Sequence, residues 1–222
     1  MRVVRSGRVE VGSLLRALAG RGLNYDPVEV RGPAWTFDVH RHELGREAVG
    51  PPVEDGVWWR ARALVAGYEF SPPGIVRAYY EPGSPLEGRD MLLQARLPGL
   101  RFLMGVRVTD VRDETGGGRT TWGWGYQTLE GHLERGRVDY SVVKDHATGR
   151  VEFVARSHSQ LHPRAPWWMR WGWRLFGRRV QLRFYRRAGL RLRRLVHEPV
   201  AVAPAAVERV TGWGVCVPDP VR

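Results

Sequence analysis

The sequence predicts an α+β fold in which an antiparallel meander sheet wraps around a long C-terminal helix. Three observations carry that expectation. Six strand-like runs follow one another between residues 74 and 156 with only turn residues between them. No gap between those runs is long enough for the crossover helices that parallel strands require. After residue 166 the pattern changes, and apolar residues recur at spacings of three and four.

Taken in order, "VGSLLRALAGRG" reads as a short helix. Ser13 is a candidate cap, Leu14, Leu15 and Leu18 form one face, and Gly20 and Gly22 stop it. In "WTFDVHRHELG" the residues Trp35, Phe37 and Val39 alternate with polar neighbours, as in a strand. The apolar and arginine-containing run from Val57 to Ala66 reads as another short helix.

Strands then succeed one another. Val76, Ala78 and Tyr80 form one face of the first, and Met91, Leu93, Ala95 and Leu97 one face of the second. Leu100, Phe102, Met104, Val106 and Val108 make the clearest strand with one buried face. "DETGGGR" closes its hairpin; a phosphate loop would continue into Lys and Ser or Thr at the head of a helix, and this one runs from strand to strand. Val138, Tyr140 and Val142, then Val151, Phe153 and Ala155, complete the series.

From Trp167 to Leu195, the residues Met169, Trp173, Phe176, Val180, Phe184, Ala188, Leu192 and Leu195 form one apolar stripe, with arginines largely off it. A strand, short helices, a meander and one long last helix make up the layout of the helix-grip fold, in which a curved sheet encloses a cavity against that helix. A closed lipocalin-like barrel would not need a terminal helix with so broad an apolar face. The expected organisation is one domain: an extension over residues 1–22, a helix-grip core over 23–198, and a second extension over 199–222.

The chain has 222 residues and a formal charge of +12. Lys144 is its only lysine, so the charge is carried by arginine, as a GC-rich coding sequence would produce. No stretch approaches the ~18 apolar residues of a membrane span, and no apolar core follows the basic start. A cytoplasmic location is the resulting expectation. Cys216 is the only cysteine, which excludes an internal disulfide or a cysteine-cluster metal site.

"LNYDPV" (23–28), "HRHELG" (40–45), "GYQTLEGHLERG" (125–136) and the arginine-rich last helix resemble, in order and spacing, the family catalogued as domain of unknown function nineteen-ninety. The resemblance spans residues 23 to 195. Its most specific element is aromatic-Tyr-x-Thr-Leu-x-Gly-His-x-Glu-x-Gly, ending at Gly136. Gln127, Arg137 and Val138 depart from the family's usual glycine and acidic residues. The resemblance implies a START-like, polyketide-cyclase-like helix-grip fold and no established activity.

Within the most specific motif, Trp122, Trp124 and Tyr126 share one strand face, and Gly123 and Gly125 leave bare backbone on the other. "EGHLERG" then reads as a hairpin connection with Gly131 and Gly136 at positive φ. His132, between Glu130 and Glu134, fits either a general base held by a carboxylate or a side chain that pins the turn. His40 and His42 project from one strand face, an arrangement that needs a third ligand before it holds a metal. None is identifiable, and no metal or cofactor is predicted. The tryptophans and arginines of "PWWMRWGWRLFGRR" suit a core wall, a membrane interface or base stacking.

These features predict a small hydrophobic or amphipathic ligand held in a cavity between sheet and helix. Trp122, Trp124, Tyr126, His132, Glu134, Trp173 and Phe176 are the residues expected around it. The competing reading is a surface binder whose arginines dock on nucleic acid or an anionic membrane. A cyclase- or hydratase-like activity is compatible with the fold, and no motif names a reaction. The oligomeric state is not legible from the sequence.

Overall fold

The computed structural model describes residues 2–4, 11–97, 100–163, 165, 177–198, 207–210 and 213–216. Strands β1 (Arg2–Val4), β2 (Thr36–Arg46), β3 (Val76–Tyr79), β4 (Asp90–Leu97), β5 (Leu100–Gly116), β6 (Arg119–Thr128), β7 (Glu134–Asp145) and β8 (Arg150–Leu161) form one sheet. Its order is β2-β8-β7-β6-β5-β4-β3, with β1 paired to β5 off that path. All six pairings along that path are antiparallel, so β3 to β8 are the expected meander and β2 closes its far edge. A separate hairpin joins β9 (Val207–Val210) to β10 (Trp213–Cys216).

Turn chemistry explains the long β5–β6 hairpin. Its two connecting residues, Gly117 and Gly118, have φ of 56° and 71°, as a tight turn matched to the strand twist requires. Register shifts between Val108 and Asp110 and between Glu43 and Gly45 bend β5 and β2, which helps the sheet curl.

Among the described residues three α-helices accompany the sheet, α1 (Val11–Arg16), α2 (Val57–Ala66) and α3 (Arg178–Leu195), with a 3-10 turn at Pro27–Glu29. Ser13 lies inside α1 and does not cap it; its carbonyl accepts from the Ala17 amide at 3.1 Å. The cap of α2 is held from elsewhere. Glu47 accepts the Trp58 amide at 2.7 Å and pairs with the fully buried Lys144 at 2.7 Å, which also donates to the Pro51 carbonyl.

The main core lies between the concave sheet face, α2 and α3. It collects Ala78, Met91, Leu93, Val106, Val108, Val142 and Phe153 from the strands, Trp58, Ala61 and Val65 from α2, and Phe184, Ala188 and Leu192 from α3. The helix is therefore gripped along the Val180, Phe184, Ala188, Leu192 and Leu195 part of the stripe that the sequence predicts, and Met169 and the expected helix start near Trp167 lie outside the described residues. Tyr185 and Gly189 also lie on the buried face of α3. A smaller cluster of Val11, Leu18, Tyr79, Leu92, Leu103 and Leu129 packs α1 on the convex side.

Candidate functional site

Strand alternation decides which side chains of β6 and β7 turn inward. Trp122, Trp124 and Tyr126 are buried in the main core, so the wall of rings faces the interior. The Trp124 indole N–H donates to the Val65 carbonyl at 3.1 Å, tying β6 to α2. On β7, Tyr140 joins the same core and Val138 packs against it, and Glu134 falls on that same face.

These rings enclose a cluster of phenols. Tyr140 lies 6.0 Å from Tyr126, 5.6 Å from Trp124, 6.2 Å from Tyr68 and 4.6 Å from Phe70, centroid to centroid. Tyr68 is placed there at a backbone cost. The Glu69 amide bonds the Leu64 carbonyl and the Tyr68 amide bonds the Val65 carbonyl, which is the helix-ending motif that normally carries glycine. Tyr68 occupies the glycine position with φ of 62°, an unfavourable conformation for a bulky residue. Its ring, 1% exposed, stacks into the core as a result.

The hydroxyls serve one another. The buried Tyr140 hydroxyl shares side-chain hydrogen bonds with Tyr126 and Tyr68, and burial raises its pKa well above the usual value. Burial, reinforced by Tyr68, raises the Tyr126 hydroxyl well above its usual value. All of these phenols are held in the protonated, hydrogen-bonding form.

Glu134 supplies the carboxyl at the polar end. Burial pushes it up to about 7, partly offset by a hydrogen bond from Ser159 and the positive charge of Arg178. It also couples to Tyr126 and Tyr185. Across from it, Arg178 of α3 forms a two-pronged ion pair with Asp38 of β2, one contact at 2.6 Å.

The connection that precedes Glu134 is a pinned turn. The His132 ring is 9% exposed, and its Nδ1 lies 2.9 Å from the Glu134 amide and 3.0 Å from the Glu134 carbonyl oxygen. Burial lowers its pKa to about 4, so the imidazole is neutral. Gly131 has the expected positive φ of 81°. Gly136 does not; it lies within β7, where a β-carbon would overlap the His158 carbonyl oxygen.

Two further motifs meet this turn and the helix. Asn24 donates to the Glu134 carbonyl at 2.8 Å and accepts from the Thr128 hydroxyl at 2.6 Å, bracketing both ends of the connection. His40 stacks on Tyr185 with centroids 4.4 Å apart, and His42 lies against Gly189. Both histidines face α3. Burial lowers the pKa of each. Among the described residues, no group of three histidine, cysteine or carboxylate side chains is placed to hold a metal.

Trp173 and Phe176 lie outside the described residues. Sequence reasoning missed Tyr68, Tyr185, Ser159 and the Asp38–Arg178 pair. Tyr140 was legible as a strand residue, and its alternation with Val138 and Val142 was the signal for its inward direction.

The profile described as Domain of unknown function (DUF1990) matches residues 24–191. The chain belongs to this family. All three short motifs of the resemblance fall inside the matched span except Leu23. A relative, the UPF0548 protein of Deinococcus radiodurans, is 30% identical over 139 residues, 57% of this chain and 68% of that protein. Two solved structures are similar at low identity. Ginseng major latex-like protein 151 from Panax ginseng is 12% identical, with a TM-score of 0.45 over 75% of this chain and 100% of its own. Norcoclaurine synthase from Thalictrum flavum, solved with dopamine and hydroxybenzaldehyde, is 11% identical, with a TM-score of 0.43 over 90% and 99%.

Proposed function

We propose that this DUF1990 protein binds a small, largely apolar ligand with one uncharged polar end between the curled sheet and the C-terminal helix. The observation that carries this reading is a group of buried hydroxyls, those of Tyr68, Tyr126 and Tyr140, set inside an otherwise apolar, aromatic interior. Hydroxyls enclosed in this way bond to one another, and a ligand donor or acceptor would take up the bonding capacity they have left.

Trp122, Trp124 and Tyr126 form the wall against the ligand's apolar body. Glu134 holds the polar end, and Tyr140, about 20 Å further along the same strand, bonds the ligand from the opposite direction. With its pKa raised to about 7, Glu134 holds its proton below that pH and then donates to or accepts from a hydroxyl or carbonyl. Among the described residues the cation that acts on it, Arg178, is engaged by Asp38, so a ligand carboxylate would find no free partner there. His132 acts through Glu134, fixing the backbone from which that side chain projects.

Native mass spectrometry of the purified protein tests for a co-purifying small molecule. Calorimetric titration with 2-naphthol and 2-naphthoate tests the polar end directly. Saturable one-to-one binding of the neutral probe, weaker binding of the anion, and about five-fold loss in Tyr140→Phe are expected. Absence of a co-purifying species together with no saturable binding of either probe would refute the reading.

A further inference from the structure

The outer face of α3 has a composition that the interior site does not use. Every exposed residue of this helix is arginine or leucine: Arg179, Leu182, Arg183, Arg186, Arg187, Leu190, Arg193 and Arg194. They fall on one arc of the helical wheel, opposite Phe184, Ala188, Leu192 and Leu195. No acidic residue occurs between Arg178 and Leu195.

Several arginines elsewhere have carboxylate partners. Arg112 and Arg137 share Asp110 and Asp139 on the convex sheet face, Arg107 pairs with Asp90, and Arg178 with Asp38. On the outer arc, Arg194 pairs with a carboxylate, Glu198 at 3.1 Å. Among the described residues, none pairs with Arg179, Arg183, Arg186, Arg187 or Arg193. Leu182 and Leu190, 39% and 52% exposed, stand two turns apart within this cationic field.

We propose that this face docks on an anionic lipid bilayer, with the arginines at the headgroups and the two leucines below them. Charge complementarity requires a polyanion, and the leucines decide which one. Exposed aliphatic side chains gain nothing on a phosphate backbone, and they gain burial at the acyl boundary of a membrane. A helix of this length presents about 27 Å of such surface, lying flat on the bilayer and far too polar to enter it.

Cosedimentation of the full chain with vesicles of phosphatidylcholine alone, and of phosphatidylcholine with phosphatidylserine, tests this. Binding is expected only to the second, weakening as salt rises. Arg183→Gln and Arg186→Gln should each lower it about five-fold, and Leu182→Ser with Leu190→Ser about ten-fold. The changed positions are exposed, so circular dichroism matching the parent separates lost docking from lost folding. Equal partition of the parent protein into both vesicle types overturns the proposal. So does undiminished vesicle binding by the leucine variant with salt-sensitive capture of duplex RNA, which would make the arc a nucleic-acid surface.

Discussion

Gly189 of the last helix lies so close to the His42 ring of β2 that a β-carbon on the glycine would overlap it. This contact, with the His40–Tyr185 stack beside it, sets how near the helix approaches the edge of the sheet. Gly189→Ala must push the helix outward or turn the ring. Overpacking of this kind costs about 1–3 kcal/mol, and urea denaturation should show it. Adding His42→Ala should recover part of the loss, so the two changes combine to less than their sum. Strict additivity would show that the contact does not position the helix.

The Lys144–Glu47 pair gives a second stability test. Lys144 is 0% exposed and donates to Glu47 and to the Pro51 carbonyl, while Glu47 also receives the first amides of α2 and its approach. Lys144→Met leaves the carboxylate buried without its cation. A loss of about 3–5 kcal/mol is expected in denaturant unfolding. A loss below 1 kcal/mol would mean that water reaches the pair.

How much of this was legible in the sequence depends on the element. The α2 helix was legible from its compact apolar run, and the β5–β6 turn from its glycines, because each signal is local. The β2 strand was legible as an alternation, but which of its two faces is covered was not. Phe37 and Val39 are 62% and 58% exposed, while Asp38, His40 and His42 face the helix. Alternation separates two faces, and only the packing of a helix distant in sequence decides which one is inside. Tyr68 was hidden for a different reason: it occupies a helix-ending position where glycine is the usual signal, and an adjacent Gly67 draws attention away from it. The direction of Glu134 followed from alternation with Tyr140, but its raised pKa comes from burial, opposed by Ser159 and Arg178, and no local pattern connects it to either.

His132 should resist protonation until well below pH 5. Burial lowers its folded pKa to about 4, against 6.5 when unfolded, so the unfolded chain binds the extra proton first. The stability it contributes is complete above pH 6.5 and is lost as pH falls toward 4, about 3 kcal/mol in all. Ring-proton chemical shifts in an NMR titration check the pKa directly. His132→Asn, which retains an acceptor near the Glu134 amide, should remove that part of the acid sensitivity. A ring that titrates near 6.5 would mean the turn opens in solution.

Glu134 has the opposite sign. Its folded pKa of about 7 lies above the unfolded value of 4.5, so between those values the folded state holds a proton that the unfolded state has released. Its contribution is full below pH 4.5 and is lost as pH rises through 7, because the folded protein must then ionise a carboxyl enclosed by Tyr126, Tyr185 and Ser159. Glu134→Gln keeps the hydrogen-bonding shape and cannot ionise. The variant should match the parent at pH 4.5 and exceed it by about 1–3 kcal/mol at pH 8.5, allowing for partial solvent screening by the exposed portion of the residue. Acid losses from His132 are common to both proteins and cancel in the difference. Urea midpoints at the two pH values read the result. A difference that does not grow with pH would place the Glu134 carboxyl in water, and with it would go the assignment of this group to the ligand's polar end.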